Sequence, residues 1–269
     1  MDGLSFPDLS KTFARPDRPS APFAATTFNV RVGHAPDGEN AWPRRRPLVE
    51  GFLQEGGRAL WGFQEVLPEV AAELSAMLGP DFVCLGRGRE ADGSGEQVMM
   101  AVDRRRFGVG SFGHFMLSPT PLVPGSRYEF SGKHVRICTW AALTDRQSGG
   151  EFLFFNTHLD HQSLRAAEEG LKLILGQIRR AGRPALLSGD FNAGPELAAK
   201  WTEGLSDASG FPPGTFTYHA YGREALKIDY LFCTSDFCFA EPQLDRRMEG
   251  GVWLSDHFPL TNEFRFRSE

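Results

Sequence analysis

The sequence predicts an α/β domain in which two β-sheets pack face to face and helices cover their outer faces. Three observations predict it. The first third alternates strand-like and helix-like stretches, which calls for helices lying on a sheet. The middle third strings strands together with only turns between them, which calls for antiparallel pairing. Apolar strands throughout the chain end in Asn, Asp, Glu or His, as though one rim of a rigid scaffold carried chemistry.

Residues 1–22 hold Pro7, Pro16, Pro19 and Pro22 among mixed charges and few apolar side chains, the composition of a partly disordered tail draped on the domain. Residues 24–31 are β-branched and aromatic and form a strand with Asn29 near its end. Leu48, Val49, Phe52 and Leu53 repeat at helical spacing over 43–59, and Arg44 to Arg46 read as its solvated face. A strand over 59–63 runs into Gln64-Glu65-Val66. A helix over 68–78 opens on Pro68, carries Val70, Leu74 and Met77, and closes at Gly79.

Strands come next at 82–85, 97–102, 109–115, 135–144 and 152–159. The glycine-rich loop 86–95 opens no helix, so it is not a nucleotide-binding fingerprint. Residues 163–180 carry one apolar stripe through Leu164, Ala167, Leu171, Ile174, Leu175 and Ile178, and form the most regular helix. The apolar run 184–187 leads into Ser188-Gly189-Asp190-Phe191-Asn192, and Pro195 opens a short helix to residue 205. Residues 228–233 and 261–266 are the last strands. No linker composition appears after residue 23, so 23–269 form one domain.

With 269 residues and a 41% hydrophobic share, the chain can bury a sizeable core. A formal net charge of −5 and scattered arginine clusters exclude a generally basic nucleic-acid binder. Cys84, Cys138, Cys233 and Cys238 lack CxxC spacing, and buried free thiols suit a reducing cytoplasm. No apolar run of about 18 residues and no apolar N-terminal core occur, so a cytoplasmic, non-membrane protein is expected. No obligate protein partner is evident.

The polar strand ends are Asn29, Gln64-Glu65, Asn156 with His158 and Asp160, Asp190 with Asn192, Asp229, and Asp256-His257. One such end is ordinary capping; six recurrences are not. The set has no serine or cysteine nucleophile elbow and no HExxH pattern. It is rich in oxygen donors, which favours Mg²⁺ or Mn²⁺ over zinc. Such groups suit metal-assisted hydrolysis of a phosphate ester: carboxylates hold the cation, and a His paired with an Asp takes or steadies a proton.

In order and spacing, Asn29, Gln64-Glu65, Asn156-Thr157-His158-Leu159-Asp160, Gly189-Asp190-Phe191-Asn192, Ile228-Asp229-Tyr230 and Ser255-Asp256-His257 resemble the motif series of the endonuclease/exonuclease/phosphatase superfamily. Gly86-Arg87-Gly88-Arg89, Gly95-Glu96, Leu117 to Pro121 and Arg136 to Trp140 resemble a bacterial branch similar to the deadenylase and nocturnin group. The resemblance implies a four-layer α/β/β/α sandwich. It implies Glu65 as the main Mg²⁺ ligand with Asn29 beside it, and Asp256 helping to hold metal or imidazole. Asp190 would align the attacking water and Asn192 would bind phosphate. His257 would be base or transition-state partner, oriented by Asp229, and His158 would contact phosphate or assist the leaving group.

Other residues carry two readings. Arg136 fits a phosphate by its fork geometry, or pairs with Glu96 or solvent. Asp160 either shares the face of His158 or begins the next turn. Asn156 supports a loop. His34, His114, His134, His161 and His219 read as surface or packing residues. The substrate is a phosphoester, either nucleic acid or a small phosphorylated molecule. The rival classes are a catalytically silent binding module of the same fold and a lipid or inositol-phosphate phosphoesterase.

Overall fold

The computed structural model describes residues 13–19 and 21–267. The disorder expected at the start of the tail, 1–12, lies outside the described residues. Residues 13–19 run along the 145–151 turn, where the Asp17 amide donates to the Ser148 carbonyl and the Glu151 amide to that of Ala14.

In chain order the strands are β1 (Phe23–Asn29), β2 (Arg58–Val66), β3 (Phe82–Leu85), β4 (Gln97–Asp103), β5 (Phe107–Met116), β6 (Ile137–Asp145), β7 (Glu151–His158) and β8 (Ala185–Asp190). Then come β9 (Ser206–Asp207), β10 (Asp229–Cys233), β11 (Phe237–Phe239), β12 (Gln243–Leu244), β13 (Met248–Glu249), β14 (Val252–Trp253) and β15 (Leu260–Phe266). The helices are α1 (Trp42–Gln54), α2 (Pro68–Leu78), α3 (Leu164–Ala181) and α4 (Pro195–Trp201).

One sheet runs β11-β15-β1-β2-β4-β3, with β12 also on β15; the other runs β5-β6-β7-β8-β10-β9. Each holds one parallel pair, β1 with β2 and β7 with β8, and every other pairing is antiparallel. The parallel pairs are those joined through a helix, α1 and α3, because a parallel return needs a crossover.

Strand alternation sorts the side chains into layers. Phe152 and Phe154 of β7 and Leu231 and Cys233 of β10 face the other sheet, where they meet Leu60, Met100, Phe23 and Phe264. Leu153, Phe155, Tyr230 and Phe232 face outward onto the α3 stripe of Leu171, Ile174 and Ile178. Trp61 and Phe63 face outward onto Val49, Phe52, Val70 and Leu74 of α1 and α2. The result is the four-layer sandwich, helices outside and sheets within. No described helix is long and apolar enough to cross a membrane.

Several boundaries differ from expectation. The first helix ends at Gln54 rather than 59, because Gly56 and Gly57 come next at φ of 75° and 78°, a left-handed backbone. Strand β1 stops at Asn29 because Arg31 turns to φ 59°. Arg44 and Arg46 are exposed, as read, but Arg45 is fully buried. Its guanidinium donates to the carbonyls of Asn40, Val30, Leu254 and Arg31, so it ties α1 to two loops rather than facing solvent.

Candidate active site

The two parallel pairs end at the same rim. Register places Asn29 beside Gln64 in one sheet and His158 beside Asp190 in the other. Antiparallel β10 places Asp229 on the far side of Asp190, so that carboxylate lies between His158 and Asp229.

Beneath them a buried amide layer joins the sheets. Gln64 Nε2 donates to Thr27 Oγ1, the Gly62 carbonyl and Asn156 Oδ1, the last at 2.8 Å. Asn156 Nδ2 donates to the Phe63 and Met99 carbonyls, and Ser188 Oγ donates to Asn156 Oδ1. Asn156, read as a loop support, is this cross-sheet link. Gly62 is needed for close approach: a Cβ there would lie 2.3 Å from Ser188 Oγ.

Above that layer the polar ends converge. Asn29 Nδ2 lies 3.0 Å from both Glu65 Oε1 and Asp190 Oδ2, so one amide bridges the sheets. The Val32 amide donates to Glu65 Oε2 and the Arg31 amide to Asn29 Oδ1. His257 Nδ1 is 2.9 Å from Asp229 Oδ2, and its Nε2 is 3.7 Å from Asp190 Oδ2. His158 Nε2 is 3.6 Å from the same oxygen. The Asn192 amide donates to Asp190 Oδ1, while Asn192 Nδ2 donates to the Leu159 carbonyl. Asp256 accepts from Ser255 Oγ and lies 3.5 Å from Arg31 Nε.

Backbone strain concentrates here. Among the described residues, the non-glycine positions with left-handed φ are Arg31, Glu65, Asn192, Ala220 and Tyr221. Three of them belong to the polar ends or their loops. The Ala220 amide donates to the Asp256 carbonyl, and Tyr221 hydrogen-bonds Asp37, the ion-pair partner of Arg31. Such conformations persist only where surroundings over-determine them.

The electrostatics separate the groups. Burial pushes the Glu65 carboxyl up, but the Asn29 hydrogen bond, the His257 charge and the Val32 amide outweigh it and hold it below its ordinary value. Burial and the neighbouring Asp229 charge raise Asp190 to about 7. Burial works against the His257 cation, yet Asp229, Asp190 and Asp256 raise it to about 10. Burial, then Arg136 and Arg89, push His158 well below its ordinary value.

Two groups of side chains fit a hard cation: Glu65 with Asp256, and Asp190 with Asp229 and His257. Asp190, Asp229 and His257 offer ligand atoms all within 4.8 Å of one another. Asp229 Oδ1 is buried without a hydrogen-bond partner, and burial and the Glu65 charge raise Asp256. Oxygen-rich, crowded carboxylates are what Mg²⁺ or Mn²⁺ neutralises.

The remaining predicted residues lie around this centre. Arg136 is buried, lines a void of about 10 Å³ with Glu65, Arg89, Glu96 and His158, and hydrogen-bonds His161 rather than Glu96. Glu96 pairs with Arg89 instead, bidentately. Asp160 caps the loop into α3, accepting from the Gly132, Gln162 and Ser163 amides. His219 packs on Phe258, with ring centroids 4.2 Å apart. Sequence reading passed over Arg31, and took Arg89 only as part of the Gly86–Arg89 motif, with no role assigned. The signal was slight: a charge two residues past a strand end, and an Arg seven residues before Glu96.

No curated protein matches the chain. Solved structures do. An endonuclease/exonuclease/phosphatase from Bacteroides vulgatus is 27% identical with a TM-score of 0.84, over 92% of this chain and 100% of that one. A mannosyl-6-phosphatase of Bacteroides thetaiotaomicron VPI-5482 is 26% identical with a TM-score of 0.80, over 91% and 100%. The human Nocturnin catalytic domain, 17% identical, shares the fold with a TM-score of 0.70 over 98% and 100%. A model of the Endonuclease/Exonuclease/phosphatase family matches residues 26–257, a span that holds every polar strand end from Asn29 to His257, and the chain belongs to that family.

Proposed function

We propose that this chain is a Mg²⁺-dependent hydrolase of phosphate esters, with Mn²⁺ as an alternative cation. The observation that carries this reading is Asp190 Oδ2, on which Asn29, His158 and His257 converge from both sheets. Membership in a family of phosphoester hydrolases supports the reaction class. The mannosyl-6-phosphatase likeness supports a small phosphorylated substrate beside the nuclease alternative. Free cysteines at four positions suit a cytoplasmic setting.

Glu65, with Asn29 and Asp256 beside it, would hold the cation, which when bound neutralises phosphate charge and draws the ester into place. Asp190 orients the attacking water and accepts its proton at Oδ2. Asp229 fixes His257 through Nδ1, leaving Nε2–H to face the reacting phosphate and stabilise its developing charge. His158, on the other side of Asp190, donates toward the phosphate or the leaving oxygen. Asn192, its side-chain amide already engaged with Leu159, offers its remaining N–H to a phosphate oxygen. Arg136 supplies positive charge at the side of His158.

The test is release of p-nitrophenol from bis-p-nitrophenyl phosphate, and from the monoester, with and without Mg²⁺ or Mn²⁺. Asp190→Ala and His257→Ala each lower turnover at least about 10²-fold while the fold is retained. Absence of metal-dependent turnover on a panel including RNA, DNA, nucleotides, inositol phosphates and sphingomyelin would sink the reading.

A further inference from the structure

Beside the carboxylate centre lies a group of cations and imidazoles that the hydrolytic roles leave largely unused. Arg136 is 6% exposed, yet among the described residues no carboxylate lies within ion-pair distance of it. Its Nε has no hydrogen-bond partner. The charges of Glu96, Asp190 and Asp160 reach it only from beyond ion-pair distance, and a buried cation without a direct counter-charge is costly unless an anion comes to it. Arg89, 7% exposed, is held by Glu96 and, at 3.7 Å from its Nε, by Glu90, and lines the same void of about 10 Å³. A void of that size admits about one oxygen atom.

Two exposed histidines sit over these arginines. Arg89 Nη2 is 3.0 Å from His134 Nδ1, and Arg136 Nη2 is 2.8 Å from His161 Nδ1. A guanidinium only donates, so each Nδ1 accepts, and each neutral ring carries its proton on Nε2. The two rings lie 5.9 Å apart and 29° from parallel. The arrangement therefore sets two N–H donors beside a buried positive charge, with both imidazoles exposed to solvent. His134 leaves from the strand β6 side and His161 from the turn after β7, so two independent segments build it.

Resting on the phosphoesterase reading, we propose that Arg136, His161, His134 and Arg89 form a second anion subsite. It would take a phosphoryl group of the substrate other than the one hydrolysed. The substrate class is then a phosphate ester bearing a further phosphate, either a small bisphosphate or a short nucleotide chain. The group lies to the side of His158, away from the Asp229–His257 pair, so it takes the part of the substrate remote from that pair.

The experiment has a binding arm and a turnover arm, each on wild type, the His134→Ala/His161→Ala double variant and Arg136→Gln. In the first, inorganic phosphate is titrated into metal-free protein and followed by ³¹P NMR. Affinity falls about tenfold in both variants, the effect of removing hydrogen bonds to a charged group. In the second, kcat/KM with Mg²⁺ is compared for fructose 1,6-bisphosphate against fructose 6-phosphate, and for the dinucleotide pTpT against thymidine 5′-monophosphate. Wild type prefers one two-phosphate substrate by about tenfold or more, and the double variant erases that ratio. The pair that shows the preference distinguishes a bisphosphate from a nucleotide chain. Unchanged phosphate affinity in the double variant overturns the proposal, and so does a ratio that survives it. The double variant changes only exposed side chains, so it stays informative if Arg136→Gln fails to fold. Failure of wild type to hydrolyse any of the four would count against the phosphoesterase reading, while the binding arm still decides the subsite.

Discussion

The two sheets make the same device and use it differently. In each, a parallel pair with a helical crossover runs to the rim and ends in a polar residue beside a polar residue. On the β1–β2 side the ending is Asn29 and Glu65, where the Asn29 amide, the His257 charge, the Val32 amide and the Arg31 charge outweigh burial and hold the carboxyl below its ordinary value. On the β7–β8 side the ending is His158 and Asp190. There a second carboxylate, Asp229, sits opposite in register and joins burial in raising the acid. One half keeps a carboxylate charged, which a cation needs. The other packs carboxylates and imidazoles against each other, which proton movement needs. The lesson is that pairing geometry sets position, while the loops and neighbours after the strand set charge.

The largest expected effect breaks the β1–β2 half. Glu65→Gln keeps the shape and removes the charge, and turnover falls roughly 10³-fold. Mn²⁺ affinity, read by electron paramagnetic resonance, falls with it. Asp229→Asn strikes the other half: it weakens the hold on His257 Nδ1 and lowers kcat about 10²-fold, with Mn²⁺ affinity retained. Equal loss of Mn²⁺ in the two variants would instead place the cation at the Asp190, Asp229 and His257 cluster.

Smaller effects probe the amide layer that joins the halves. Gly62→Ala drives a Cβ to within 2.6 Å of Asn156 Oδ1 and closer still to Ser188 Oγ, so the sheets must part locally. Urea unfolding should show a loss of about 1–3 kcal/mol. A midpoint unchanged from wild type would mean that the amide layer is slack.

The smallest effect sits at the opposite end of β6. Asp145 is fully buried and accepts from Arg106, Ser148 and the Gln147 amide. Burial raises its carboxyl, but the Ser148 and Arg106 hydrogen bonds outweigh it and leave it below its ordinary value. Its stabilisation is therefore complete above the unfolded carboxyl value, about 3.9, and is lost as pH falls through the lower folded value. Asp145→Asn should cost roughly 1–2 kcal/mol at pH 7, and the gap to wild type should close on acidification below that point. A gap independent of pH would refute the ionic origin.

Much of this was legible because it is local. Short continuous apolar runs such as Phe152 to Phe155 and the stripe through Leu171, Ile174 and Ile178 announce strand and helix without reference to the rest of the chain. Pro68, Pro195 and Gly79 punctuate them. What escaped was non-local. Arg45 reads as a surface charge beside Arg44 and Arg46, and only four carbonyls from distant segments make its burial tolerable. The short strands β9 and β11 to β14 span two or three residues, too few for a period to show. The pairing of Glu96 with Arg89 and of Arg136 with His161 depends on how loops fold over strand ends, which spacing does not encode.

By itself the sequence determined the longer elements, the two-sheet architecture and the family, because apolar patterning and motif order are properties of neighbouring residues. Tertiary structure alone decided that Asn29 would bridge Glu65 and Asp190, that Asp190 would lie between His158 and Asp229, and that Arg136 would stand buried with no carboxylate at ion-pair distance among the described residues. The physical reason is distance. A charge acquires its pKa, its partner and its use from groups that arrive across 28 to 161 positions of chain, and only the packed sheets bring them within hydrogen-bond and ion-pair reach.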